Sequence, residues 1–450
     1  MAAYTPNNPP YPAYRATAKG SFAEDSTIRR WPIIIDSAIT EVKEAMDEMS
    51  PHGPEYIEGK EILKGIDTLK DEILKDKPLR LIHDDETDAE SWNSNLRAHF
   101  PFATWFSGTW LFNECYMYRR LRECFCITTY WKDFDPFARQ KIATFRSSYT
   151  SVFALARKMP ELIKPMDKEE WKFVYHELIQ VCLWGNATDL SLLTNMTEED
   201  IKRLQATEKH RLEEQRKFIV VDHIDKLWEQ IETLENGKIE FVLDNSGFEV
   251  FVDLVLADWL IQTKKASQVI FNCKTIPWFV SDVMPKDVPI LFESCLDPTF
   301  FPVDTKRTTE DVEALEKMVR RWQQYVQEGQ LIIRSHPFWC SGLSYWYLKS
   351  DAPGLYNDMH SSDLVIFKGD LNYRKLVFCC DWPVTTPFEE AIGKDMANFT
   401  SIVSLRTNKA DPIVGLKEGQ REEIEKEATY NEWRCSGKYA VVEYNKGHKK

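Results

Sequence analysis

An α/β fold is what this sequence predicts: a mainly helical first half leading into a mostly parallel sheet with helices on both faces. Three observations predict it. Apolar residues recur at i, i+3 and i+4 through most of residues 28–236, and short β-rich runs alternate with helical patterns from Lys238 onward. The run Ile239–Leu243 is short and apolar, as a strand covered on both faces should be.

The elements follow in order. Residues 1–20, with prolines at positions 6, 9, 10 and 12, read as a disordered lead. Residues 21–236 form the helical region, with helices predicted at Trp31–Met49, Trp105–Cys126, Asp135–Lys158 and Lys168–Leu183 and a long charged helical stretch from Glu198 to Asn236. Residues 237–450 form the α/β core, with no flexible linker before it. Strands are predicted there at Ile239–Leu243, Gln268–Asn272, Leu331–Arg334, Leu364–Phe367, Lys375–Cys379, Ser401–Leu405 and Tyr439–Tyr444.

Composition narrows the function classes. The chain has 450 residues, 43% of them hydrophobic, and a formal net charge of −14, which disfavours nucleic acid and anionic membrane surfaces as partners. No apolar stretch reaches the roughly 20 residues of a membrane helix, and the first residues lack a signal-peptide pattern. The expectation is a soluble protein of the cytoplasm, with the nucleus as the alternative; the sequons at Asn186, Asn195 and Asn398 are then accidental. Ten cysteines without C-x-x-C spacing read as reduced core thiols. P-loop, G-x-G-x-x-G, G-x-S-x-G and H-E-x-x-H patterns are missing, which removes the usual support for NTPase, dehydrogenase, α/β-hydrolase and zincin readings.

Chemistry gathers at the predicted strand ends. Phe248, Phe251, Val252, Val255, Leu256 and Trp259 fall at helical spacing, so a helix starts near Ser246 and leaves Asp244 and Asn245 at a strand-to-helix turn. Asp282 lies in a loop beyond the second strand. Lys368, Gly369, Asp370, Asn372, Arg374 and Lys375 follow Leu364–Phe367, with Gly369 permitting a tight turn, and Arg406 and Lys409 follow Ser401–Leu405. Asp, Asn and Asp are hard oxygen ligands suited to Mg²⁺ or Mn²⁺, and Lys and Arg neutralise a developing phosphoryl charge, so the set points to phosphate-ester chemistry.

Plain structural explanations stand beside each residue. Asp244 with Asn245 fits ordinary turn chemistry, and Ser246-x-x-Glu249 fits a capping box. His336 before Pro337 reads as structural. The turn Trp184–Ser191 reads as capping a helix through Asp189 or Ser191, and Glu114 with Tyr118 reads as a core ion-pair face or a ligand site.

The segments Asp244–Glu249, Phe279–Val283, Phe367–Lys375 and Arg406–Lys409, joined by Trp184-Gly-Asn and Glu114–Arg120, resemble the metal-dependent damage-control phosphatases. The likeness is to the eukaryotic group with the Arg-Thr-x-Lys motif, also described as acidic-residue (protein-glutamate) methyltransferases. It implies a helical N-terminal region packed on a Rossmann-like three-layer α/β/α core. It also implies Mn²⁺, Co²⁺ or Ni²⁺ at Asp244, Asn245 and Asp282, and a substrate phosphate held by Asp370, Leu371, Asn372, Tyr373 and Arg374 together with Lys409, with Arg406 beside them. The implied substrates are sugar phosphates such as fructose 1-phosphate.

The leading expectation is therefore a metal-dependent phosphatase in which Asp370 orients or deprotonates the attacking water. Attack by Asp244 itself is the mechanistic rival, but the D-x-D pattern is absent because position 246 is Ser. The alternative activity, S-adenosylmethionine-dependent carboxyl methyl transfer, would place that cofactor at Glu249 and Asp282 without the usual glycine-rich loop. The sequence carries no signal for oligomeric state.

Overall fold

The computed structural model describes residues 4–164, 166–185, 214–303 and 307–447. Seven strands build one sheet: β1 (Ile219–Asp222), β2 (Gly237–Val242), β3 (Ala266–Cys273), β4 (Leu331–Ser335), β5 (Leu364–Lys368), β6 (Ile402–Thr407) and β7 (Ala440–Asn445). Their order is β1-β7-β6-β5-β2-β3-β4, and every neighbouring pair is parallel except β6 with β7. Strand alternation divides the core. Ile239 and Phe241 of β2 join one apolar cluster with the helices Tyr149–Leu162, Lys168–Trp184, Phe248–Gln262 and Thr309–Glu328. Val242, with Val365 and Phe367 of β5, joins another on the opposite face. The result is the expected three-layer α/β/α arrangement.

A third cluster belongs to the helical region and explains its position. The helices Trp31–Asp47, Pro54–Leu74 and Trp110–Cys126 share it with Trp278, Leu371, Cys379 and Ala410, which lie in segments after β3, β5 and β6. Burying those residues seats the helical region over the carboxyl ends of the parallel strands, where α/β proteins place their ligands.

Several boundaries differ from expectation. Residues 4–20 are held down: Trp110 N–H donates to the Tyr14 carbonyl at 2.8 Å, and Asp381 N–H to that of Pro12 at 2.9 Å. Backbone bonding fixes this segment despite its prolines. The charged stretch up to Asn236 is interrupted by β1, whose Ile-Val-Val core pairs with β7 and takes the sheet across the expected boundary at 236 and 237. Its residues before 214, like Asn186–Ser191 and Asn195, lie outside the described residues. The expected strand Lys375–Cys379 is not formed. Gly369–Leu376 is a helix, and the chain leaves it through Phe378 and Cys379 at φ of 62° and 48°, a left-handed step incompatible with a strand. The expected helix Asp135–Lys158 is two, Ala138–Ser147 and Tyr149–Leu162. All ten cysteines are free thiols. Among the described residues no helix is long and apolar enough to cross a membrane.

Candidate active site

Asp244 and Asn245 follow β2, and Asp282 follows β3 by way of a loop that folds back on them. Val283 N–H donates to the Asp244 carbonyl at 2.8 Å, Ser246 N–H donates to that of Ser281 at 2.7 Å, and Asn245 faces Asp282 as an antiparallel bridge. This short clamp brings the three side chains predicted as metal ligands onto adjacent backbone. The loop reaches it through Phe279 and Val280 at φ of 45° and 69°, a conformation that bulky residues adopt only where the surroundings impose it.

Hydrogen bonds orient the trio. Asn245 Nδ2 donates to Asp244 Oδ2 and to Glu249 Oε2, each at 2.7 Å, while its Oδ1 accepts from the Ser281 hydroxyl. Glu249 is therefore no capping box: the helix Phe248–Gln262 begins after Gly247 without a side-chain cap, because the Glu249 carboxylate is taken by Asn245 and by Lys368 at 3.2 Å. Lys368 also binds Asp253 Oδ1 at 2.7 Å and the Cys182 carbonyl at 2.8 Å. Glu249 and Asp253 are four residues apart in a mostly apolar helix, so they share the face that meets Lys368. That spacing was a readable signal for a buried polar cluster. On the other side, Lys274 lies 3.1 Å from Asp282 Oδ2.

Gly369 makes room for Asp244. Its φ is +82°, and a Cβ there would lie 2.0 Å from Asp244 Oδ2, so any side chain would displace the carboxylate. Burial pushes the Asp244 carboxyl well above the ordinary range, and the charges of Glu249 and Asp282 push in the same direction.

Asp370 has the opposite environment. Arg406 Nε bonds Oδ1 at 2.8 Å and Arg374 Nε bonds Oδ2 at 2.7 Å. Burial alone would raise this carboxyl, but the two guanidinium groups outweigh it and hold it at about 2. Such a carboxylate is too weak a base to take a proton from water near neutral pH, which corrects the general-base expectation.

The other residues expected to bind substrate divide clearly. Arg406 is fully buried and also donates to the carbonyls of Pro412 and Ala410. Asn372 turns inward to the carbonyls of Val242, Leu243 and Lys368, Tyr373 lies under the Arg406 guanidinium at 4.2 Å, and Leu371 packs against the helical region. Their side chains serve the scaffold, because the segment is a helix and not an open loop. Arg374 lies between the rings of Trp110 at 4.6 Å and Phe279 at 5.7 Å and pairs with Glu114 at 2.8 Å. Glu114 thus takes the ion-pair reading. Lys409 differs: among the described residues its amine has no hydrogen bond or ion pair, and its charge acts on Asp244. His336 is structural, its Nδ1 accepting from Phe338 N–H at 3.1 Å.

Comparison with known proteins decides the family. The Damage-control phosphatase ARMT1-like domain matches residues 26–424. The chain belongs to the ARMT1-like damage-control phosphatases. Damage-control phosphatase ARMT1 of Danio rerio is 32% identical over 454 residues, covering 96% of this chain and 97% of that protein. The Xenopus laevis protein of the same name is 33% identical, covering 95% and 97%, and the Homo sapiens protein 31%, covering 95% and 96%. A solved DUF89 family protein from Pyrococcus horikoshii is similar at a TM-score of 0.39 with 13% identity, over 88% of this chain and 94% of that one. Membership in the ARMT1-like damage-control phosphatases makes the chain a phosphatase-family enzyme and leaves methyl transfer without support. Glu249 and Asp282, which that alternative assigned to S-adenosylmethionine, are engaged by Asn245, Lys368 and Lys274.

Proposed function

We propose that this enzyme is a metal-dependent phosphomonoesterase acting on sugar phosphates of the fructose 1-phosphate type, with Asp244, Asn245 and Asp282 holding a divalent cation. The backbone clamp between residues 244–246 and 281–283 carries this reading, because it sets two carboxylates and an amide side by side at the strand ends. Among the described residues no group of three or more His, Cys, Asp and Glu side chains is arranged for a metal. In this reading the third protein donor is the Asn245 amide oxygen, a hard ligand that suits Mn²⁺ or Mg²⁺; Co²⁺ and Ni²⁺ are further candidates. Donor chemistry and charge both fit: burial drives the Asp244 carboxyl up, the charges of Glu249 and Asp282 add to it, and a cation would offset both.

When bound, a divalent cation would supply positive charge to the phosphoryl group and its nucleophile. The chain's own residues supply the rest. Lys409, half-buried beside Asp244, neutralises charge that develops on the phosphoryl oxygens as water adds and the ester P–O bond breaks. Asp370 stays ionised and fixes Arg374 and Arg406; its Oδ1 also accepts from Lys409 N–H at 3.2 Å, which places the Lys409 backbone.

A panel of sugar phosphates assayed with Mn²⁺, Co²⁺, Ni²⁺ and Mg²⁺ tests the proposal. Fructose 1-phosphate or a close relative should release phosphate only with metal, and Asp244→Ala should abolish release with unchanged circular dichroism. Full activity in that variant would remove the assignment.

A further inference from the structure

One side chain reaches both strand ends that form the floor of the site. Lys274, the residue after β3, is 1% exposed. Its ammonium donates to the Leu243 carbonyl at 2.7 Å and lies 3.1 Å from Asp282 Oδ2, while its own N–H donates to the Val283 carbonyl at 2.8 Å. It is thereby tied to the segments that carry Asp244 and Asp282. The neighbouring buried lysines are occupied elsewhere: Lys368 by Glu249 and Asp253, and Lys375 by the carbonyls of Trp339 and Ser341.

A lysine buried this deeply is retained only with partners that repay its desolvation, and here the partner is a candidate metal ligand. Asp244, Asp282, Glu249 and Asp253 carry four negative charges against three positive ones on Lys274, Lys368 and Lys409, so a centre loaded with a divalent cation has one positive charge in excess, and without Lys274 it has none. Resting on the metal-dependent reading above, we propose that Lys274 is a positioning residue that holds Asp282 by one carboxylate oxygen and sets the charge of the centre, weakening its hold on the cation and strengthening its hold on phosphate. Loss of an outer partner ordinarily lowers metal affinity by roughly ten- to a hundredfold. Removing a cation that shares a carboxylate with the metal acts in the opposite direction and, at such short range, more strongly.

Two affinities therefore move oppositely, which a loosened scaffold would not produce. Full-length wild type, Lys274→Met and Lys274→Gln are titrated with Mn²⁺ by calorimetry and electron paramagnetic resonance, and the loaded proteins then with inorganic phosphate. In both variants the Mn²⁺ Kd should fall at least about tenfold and the phosphate Kd should rise about tenfold. Weaker binding of both, or no change in either, overturns the proposal. Lys274→Gln still offers a donor to the Leu243 carbonyl and supplies the same two readings if the Met variant fails to fold. Wild type that binds Mn²⁺ beside variants that bind it identically overturns the role of Lys274 alone. Wild type that binds no Mn²⁺ overturns the metal reading and this inference with it.

Discussion

Arg406 and Lys409 stand three residues apart and do opposite work. Arg406 spends its guanidinium on Asp370, Pro412 and Ala410, whereas the Lys409 amine carries no bond among the described residues and acts on Asp244 through space. Arg406→Ala leaves Asp370 short of a partner in a buried pair and should cost about 3–5 kcal/mol of stability. Lys409→Ala should shift stability by no more than roughly 0.5 kcal/mol and lower kcat for the phosphate ester at least about tenfold. Urea unfolding and steady-state kinetics on the two variants check the contrast. At this scale the sequence reveals residue types but not their spending. The Arg-Thr-x-Lys spacing marks both cations, yet only the contacts of Arg406 show it to be structural. Asp370 was legible as an acid at a strand end; that two arginines deprive it of basicity depends on neighbours far along the chain.

Elements were legible where period and burial agree. β2, β3, β4, β5 and β6 are apolar runs followed by polar turns, and each lies within a few residues of its expected place. Val377–Cys380 is equally apolar but lies after a helix, in a left-handed turn buried on all sides, and burial without period misleads there. β1 was hidden because four residues in a charged stretch carry almost no periodic signal. β7 holds a separate consequence. Glu443, opposite Ser404 of β6, is fully buried, and burial pushes its carboxyl up to about 8 although Tyr373 and Arg406 lower it. A raised carboxyl gives its full contribution to stability below its unfolded value near 4.3 and loses it as pH rises through about 8. Wild type should therefore lose on the order of a few kcal/mol between pH 5 and pH 9 on this account, and Glu443→Gln should flatten that decline. Denaturant unfolding at the two pH values reads the difference, and parallel curves would count against it.

Across the whole molecule, the helical half and the sheet share their apolar surfaces. Trp278, Leu371 and Ala410 are buried among N-terminal helices, Glu114 reaches Arg374, and β1 completes an edge of the sheet. A fragment beginning at residue 237 should therefore show no cooperative unfolding transition by circular dichroism, although the composition change near that point suggests a boundary. The architecture was readable because a parallel sheet announces itself by alternating with helices. The seating of the helical region over the strand ends was not, since it depends on contacts between residues hundreds of positions apart. That seating covers the strand ends where a divalent cation is proposed to bind. Anomalous diffraction from crystals soaked in Mn²⁺ reads that position itself. One strong peak is expected within about 2.0–2.6 Å of oxygens from Asp244, Asn245 and Asp282; a peak elsewhere, or an empty cleft beside those three side chains at saturating Mn²⁺, rules the metal site out.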